Sequence, residues 1–226
     1  MPSDQTVFLF DVDNTLLDND RVQADLMRHL KNAVGSEQSK QYWELFEELR
    51  AQLGYADYLG ALQRYRVQYP RDFHILTVSD FLINYPFANR LYPNSLDVVE
   101  RCQEFGRTVI VSDGDVVFQP LKVHRSGLYE VFDGNVLIYI HKELEVEDIA
   151  ARYPAAHYVF VDDKVRILDA VKQIWGARVT TVFPRQGHYA TDAAEVAKYP
   201  VPDVTIERVG DLLELDLPAL VSAAKG

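Results

Sequence analysis

The stretch Val7–Asp20, VFLFDVDNTLLDND, decides the fold. Four apolar residues, Val7 to Phe10, run without interruption into Asp11, and Asp13 and Thr15 follow at intervals of two. An all-apolar run this short suits a strand buried on both faces, as strands of a parallel sheet are. Packing gives no reason for two carboxylates at its end. Like charges so close repel, and a bound cation is the simplest compensation. The Asp13-Asn14-Thr15 segment has the residue types of a tight turn, whose backbone N–H groups can point at an anion. One loop thus offers a nucleophile, a second acid or base and a cradle for metal.

Outside this loop the chain sets broad limits. Its 226 residues accommodate one large domain, or a core with a smaller inserted module. A net charge of −11 argues against a nucleic-acid partner, because phosphates attract basic surfaces. The same charge repels a phosphorylated ligand at long range, so a phosphate site must be made locally positive by metal and lysine. Cys102 is the only cysteine, which rules out an intrachain disulfide, and as a helical residue it reads as a buried structural thiol. No charged-then-apolar leader and no apolar run of membrane-spanning length appear, so a cytoplasmic protein without a membrane partner is expected.

Past Asp18 the pattern changes. Asp20–Val34, Ser39–Leu53, Ala56–Tyr69 and Val78–Asn84 carry apolar residues at helical spacing, such as Trp43/Phe46/Leu49/Leu53 and Tyr58/Leu62/Tyr65. Gly54, Pro70 and Pro86 punctuate them. A helical module over residues 18–91 is therefore predicted, inserted into a core of residues 1–17 and 92–226. Its aromatic stripe reads first as packing. Beyond it, helix and strand alternate. A helix capped by Asn94 or Ser95 runs to Phe105, then come a strand over Thr108–Val111 and a helix to about Ser126. Further strands are predicted over Asn135–Ile140, Tyr158–Val161, Arg178–Phe183 and Val204–Glu207. Helices are predicted over Val146–Tyr153, Val165–Trp175 and Asp211–Ala224. Such alternation implies right-handed crossovers and a parallel, doubly wound sheet, which binds ligands at the carboxyl ends of its strands. Ser112, Lys142 and the pair Asp162-Asp163 all follow predicted strands. The segment Arg185–Tyr189 (RQGHY) follows the fifth, placing it at the periphery of the same edge.

Taken in order, these clusters resemble the four motifs of the haloacid dehalogenase (HAD) superfamily. Asp11-Val12-Asp13-Asn14-Thr15 is similar to the first, DxDx(T/V), and Ser112, Lys142 and Asp162/Asp163 occupy the places of the second, third and fourth. The resemblance implies an α/β fold: a Rossmann-like parallel sheet with an all-helical cap of the C1 type that closes over the site and selects the substrate. It implies a Mg²⁺-dependent phosphatase acting on a small phosphorylated metabolite. Asp11 would be the nucleophile, forming an aspartyl-phosphate, and Asp13 the general acid and base. Ser112 and Lys142 would bind the phosphoryl oxygens. Asp11, the carbonyl of Asp13, Asp162 and Asp163 would hold the metal, the last directly or through water.

Departures from the family pattern add negative charge: Glu143 follows Lys142 where proline is common, and Asp113 follows Ser112 where asparagine is common. Lys122 is the alternative to Lys142. Other functions left open are a phosphosugar-type phosphomutase, a haloacid dehalogenase, and a non-catalytic binding protein that keeps the fold. Arg50, Arg64, Tyr65 and Arg66 are candidate substrate contacts in the helical module. Histidine spacing gives no support for zinc. Neither the substrate nor the oligomeric state is set by the sequence.

Overall fold

The computed structural model describes residues 6–222. Six parallel strands form one sheet in the order β3-β2-β1-β4-β5-β6. They are β1 (Thr6–Phe10), β2 (Arg107–Asp113), β3 (Val136–Tyr139), β4 (His157–Val161), β5 (Val179–Pro184) and β6 (Val204–Ile206). β1 lies at the centre, buried along its whole length. Its side chains alternate as the pleat requires. Phe8 and Phe10 join an apolar cluster on one face, and Val7 and Leu9 join another on the opposite face. An uninterrupted apolar run is therefore what this position needs.

Four helices follow β1 without a strand between them: α1 (Asn19–Ala33), α2 (Ser36–Leu53), α3 (Tyr58–Gln68) and α4 (Ile75–Ile83). The Asp18 side chain starts α1 by accepting from the Arg21 amide, and Asp57 does the same for α3 through the Gly60 amide. Gly54 ends α2 in the left-handed conformation that glycine adopts without penalty. The module's apolar side chains, among them Leu26, Phe46 and Tyr58, are continuous with the sheet's own cluster through Phe118. The chain enters and leaves the module side by side. Leu17 bridges Leu91, the Asp18 amide donates to the Arg90 carbonyl, and the Tyr92 amide donates to that of Leu16.

The core resumes with α5 (Ser95–Gln103), and after β2 come α6 (Phe118–Arg125) and α7 (Leu128–Val131). α8 (Val146–Arg152) precedes β4, and α9 (Val165–Trp175) lies between β4 and β5. Two short helices, α10 (Gly187–Thr191) and α11 (Ala193–Val196), follow β5, and α12 (Leu217–Ser222) ends the described chain. No helix among the described residues is long and apolar enough to cross a membrane.

Three local expectations are corrected. Asn94 stands at the N-cap position of α5 as expected, but neither its side chain nor that of Ser95 makes a capping bond. Asn94 is left-handed with no capping bond, and the Ser95 hydroxyl donates instead to the Leu16 carbonyl, tying α5 to the end of the β1 loop. α6 begins only at Phe118, because Asp115 accepts from the Val117 and Phe118 amides and holds the preceding residues in a turn. The expected helix over Asp211–Ala224 is broken into a 3₁₀ turn, Val209–Glu214, and α12. Extended Leu215 separates them, and Asp216 accepts from the Ala219 amide at the new start. Positions 223 and 224 of that helix, like positions 1–5 of the expected core, lie outside the described residues.

Candidate active site

Register brings the candidates together. Phe10 pairs with Ile110 on β2 and with Val161 on β4, so the residues that follow each strand emerge at one edge. The Asp11 amide donates to the Val161 carbonyl, which holds the start of the loop against β4. The strand order reverses about β1, leaving there the crevice in which doubly wound sheets bind ligands.

Asp11, Asp162 and Asp163 are buried, and each offers a carboxylate oxygen within 4.8 Å of the others. The fully buried Lys142 ammonium lies among them, 2.5 Å from Asp11 Oδ1 and 2.6 Å from Asp162 Oδ2. It also donates to the Val111 carbonyl at 3.2 Å. Burial opposes the charge on Lys142, but Asp11, Asp162 and Asp113 outweigh burial and raise its pKa, so it is an ammonium at every physiological pH. Asp113 does more than add charge. Its Oδ1 accepts from the Lys142 amide at 2.8 Å and thereby fixes the turn that delivers the lysine. Burial raises the Asp113 pKa against the pull of Lys142. Glu143 is turned to Arg166, its ion-pair partner, so the two acidic departures from the family pattern are both engaged.

Lys142, with Lys164 beyond ion-pair distance, does not balance three carboxylates. Burial pushes Asp163 well above the usual carboxylate range and Asp162 in the same direction, with Lys164 and Lys142 respectively resisting. Both Asp163 oxygens and Asp11 Oδ2 have no hydrogen-bond partner although all three are buried. Buried polar atoms are nearly always satisfied, so three bare oxygens on carboxylates of one buried cluster call for a cation. The donors are all hard oxygens, the set that suits Mg²⁺ or Ca²⁺. The Asp163 backbone is placed by Thr15, whose hydroxyl accepts from its amide at 3.1 Å.

Ser112 is buried with its hydroxyl 3.4 Å from Asp11 Oδ1, and Gln119 Nε2 donates to that hydroxyl at 2.9 Å. Asp13 stands apart from the acidic cluster. Its carboxylate receives Lys122 Nζ at 2.6 and 2.8 Å, and the same ammonium donates to Asn19 Oδ1 at 3.0 Å. Lys122, weighed as an alternative to Lys142, is thus committed to Asp13 and has no contact with Asp11.

Asp13 lines a cavity of about 360 Å³ between the sheet edge and the helical module. α2 and α3 contribute Phe46, Arg50 and Tyr58, and the core contributes Gln119, Lys164 and Tyr189. The Tyr58 hydroxyl is buried, and desolvation with Asp13 nearby raises its pKa. Of the four module residues singled out from sequence, only Arg50 reaches the cavity. Arg64 donates to Gln52 on the surface, the Tyr65 hydroxyl to Asp72, and Arg66 is exposed.

The segment Arg185–Tyr189 grips the nucleophile loop. Gln186 Nε2 donates to the Thr15 carbonyl at 3.2 Å, and His188 meets Asp20 through its amide at 2.8 Å and its ring Nδ1 at 2.6 Å. Gly187, at φ +72°, lies so near Asn14 that a Cβ would come within 2.5 Å of the asparagine's own. Gln186 belongs to the segment that the sequence places at this edge, whereas the sequence gives Gln119, Lys122 and Lys164 none of these contacts. Only the spacing of Gln119 and Lys122 along one face of α6 hints that they act together.

The sequence profile described as haloacid dehalogenase-like hydrolase matches residues 6–175, more than half of the chain. No curated protein matches it. Among solved structures, a protein of Burkholderia xenovorans LB400 described as a haloacid dehalogenase-like hydrolase is 60% identical. That match covers 94% of this chain and 99% of the other, with a TM-score of 0.90. Two remoter structures share the fold. The HAD-hydrolase YfnB of Bacillus subtilis, in a form bound to magnesium, is 16% identical over 93% of this chain and 97% of its own, at TM-score 0.60. A 2-haloacid dehalogenase of Pseudomonas syringae pv. Tomato DC3000 is 15% identical over 93% and 97%, also at TM-score 0.60.

Proposed function

The chain belongs to the haloacid dehalogenase-like hydrolases, and on that premise we propose that it is a Mg²⁺-dependent phosphatase of a small phosphorylated metabolite. The observation that carries this reading is the set of bare, buried oxygens on Asp11 and Asp163 beside Asp162, where only Lys142 is in ion-pair contact with the three carboxylates. Asp11, Asp162, Asp163 and the Asp13 carbonyl would hold Mg²⁺, as the fold-sharing YfnB was bound to it. When bound, the ion draws charge from the phosphoryl oxygens and shields the nucleophile from their repulsion.

Asp11 attacks phosphorus through a carboxylate oxygen, the P–O bond to the leaving group breaks, and an aspartyl-phosphate forms. Lys142 and the Ser112 hydroxyl, which border Asp11, stabilise the negative charge of the transferring group. Asp13 hands a proton to the departing oxygen and later takes one from the water that attacks phosphorus and releases Asp11. The helical module closes the cavity on the side away from the sheet and excludes competing water. The second acid, Asp13, favours phosphoryl transfer over carbon–halogen displacement, in which no leaving oxygen has to be protonated.

Turnover of para-nitrophenyl phosphate tests the proposal. Phosphate release is expected with Mg²⁺, is lost with EDTA, and is absent from Asp11→Asn. Halide release from a 2-haloacid without any phosphate release would overturn it.

A further inference from the structure

We propose that the cavity takes a phosphate ester bearing a second anionic group, held by Arg50 and Lys164 against the ring of Tyr189. This specificity rests on the phosphatase reading above and goes beyond it by assigning the chemical class of the substrate. The cavity's volume, about 360 Å³, lies at the small end of ligand sites and suits a compact metabolite.

The charges that line it are unevenly committed. Asp13 is paired with Lys122, and Asp113 accepts from the Lys142 amide. Asp192 caps α11 through the Ala194 and Glu195 amides, and Glu195 pairs with Lys198. Arg166 is taken by Glu143. Two cations are left. Lys164 makes no ion pair within 4 Å among the described residues, although the carboxylates of Asp163, Asp11 and Asp162 attract its charge, and its ammonium lies 5.2 Å from the centre of the Tyr189 ring. Arg50 has only Glu47, 3.5 Å away on the exposed face of the same helix, a pairing of little energetic weight. Its guanidinium otherwise turns inward, donating to the Tyr189 hydroxyl and lying 5.8 Å from the same ring.

In a chain of net charge −11, two cations without a close buried carboxylate partner meet at one aromatic ring inside a cavity, which gives an anion a local point of attachment where the long-range field is negative. The guanidinium fork matches a carboxylate or a phosphate, and an ammonium beside it adds a point charge. The pair is also placed relative to the reacting centre. The Lys164 amide donates to Asp162 Oδ1 at 2.8 Å, so the lysine departs from the acidic cluster itself, whereas Arg50 comes from the helical module. A ligand bridging both would join the module to the core.

Calorimetric titration of the wild-type protein in Mg²⁺ buffer tests this with phosphonates, whose C–P bond is not an ester and is not consumed. Propylphosphonate has one anionic end, 3-phosphonopropionate adds a carboxylate, and propane-1,3-diphosphonate adds a second phosphonate. At least one of the two-ended ligands should bind about tenfold more tightly than propylphosphonate, the gain expected of a charge-assisted contact. The tighter of the two identifies the second group. Arg50→Gln and Lys164→Gln should each reduce that ratio to below about threefold. Equal affinities for all three ligands, no binding of any, or a ratio that survives both substitutions would overturn the proposal. Failure of the hydrolytic reading is seen separately, as an intact affinity ratio in a protein that does not turn over para-nitrophenyl phosphate.

Discussion

Replacing Lys142 with methionine tests the electrostatics of the site most directly. Methionine nearly matches the lysine stem in length, so the substitution removes charge while leaving little void. The ammonium it removes is fully buried, 2.5 Å from Asp11 and 2.6 Å from Asp162. Fully ionised, the three carboxylates of Asp11, Asp162 and Asp163 with Lys142 and the more distant Lys164 sum to −1, and the variant sums to −2. Deleting one partner of a buried ion pair costs about 3–5 kcal/mol, because the other charge stays desolvated. In a chain of this size each kcal/mol moves Tm by roughly 2–4 °C, so the metal-free variant should melt roughly 6–20 °C below wild type.

Mg²⁺ should then rescue the variant. A ligand at a hundredfold excess over Kd stabilises the state that binds it by about 2.7 kcal/mol. The rise in Tm on adding Mg²⁺ should be larger in the variant than in wild type, because the cation there relieves more repulsion. Activity should fall by about 10²–10³, the usual loss on removing a charge that stabilises the transition state. Differential scanning calorimetry in EDTA and in saturating MgCl₂ supplies the four melting temperatures. A variant in EDTA that melts within about 2 °C of wild type would refute the argument that Lys142 offsets uncompensated charge.

Other outcomes follow from particular residues. With acetyl phosphate, whose leaving group needs little protonation, Asp13→Asn should accumulate phosphate on Asp11, because loss of a general base slows the second step by roughly 10²–10⁴. Intact mass before and after hydroxylamine reports this, and a label on any other residue or wild-type turnover refutes the roles. In EDTA, stability should fall as pH rises through about 6, since burial raises Asp162 to that value and Asp163 also upward. The folded state there binds protons that the unfolded chain, with carboxylates near about 3.9, has lost, and stability declines with pH wherever that holds. Melting curves should show this slope, and Asp163→Asn or saturating Mg²⁺ should flatten it; a slope unaffected by either contradicts the assignment. Gly54→Ala should lower stability by about 1–2 kcal/mol, because the residue sits at φ +82° and its Cβ would come 2.5 Å from the His141 ring. Chemical denaturation measures this, and an unchanged midpoint would show that the α2 terminus and the His141 turn do not press on each other.

The chain order of short apolar runs and helical spacings was enough to determine a parallel sheet with a helical insertion after its first strand. Buried parallel strands are all-apolar, and βαβ crossovers place every carboxyl end on one edge. Asp11, Ser112, Lys142, Asp162 and Asp163 thus fall at one edge on the sequence alone, since each follows such a run. The helix limits of α1 to α4 were also legible to within a few residues, because apolar spacing and the breakers Gly54, Pro70 and Pro86 are local signals.

Contacts between distant segments were not legible. Lys122 and Lys142 are both lysines that follow β2, and nothing local says that one meets Asp13 across 109 positions while the other meets Asp11 across 131. Asn94 and Ser95 have the composition of a helix cap, yet Ser95 gives its hydroxyl to the Leu16 carbonyl, a partner present only when the loop after β1 is packed against α5. Arg50, Arg64 and Arg66 all ride on helices of the module, and composition treats them alike. The docking of that module on Phe118 turns Arg50 into the cavity, while Arg64 donates to Gln52 on the surface and Arg66 remains exposed. A helix's periodicity says which residues share a face, but the partner that covers each face is chosen by the packing of the whole chain.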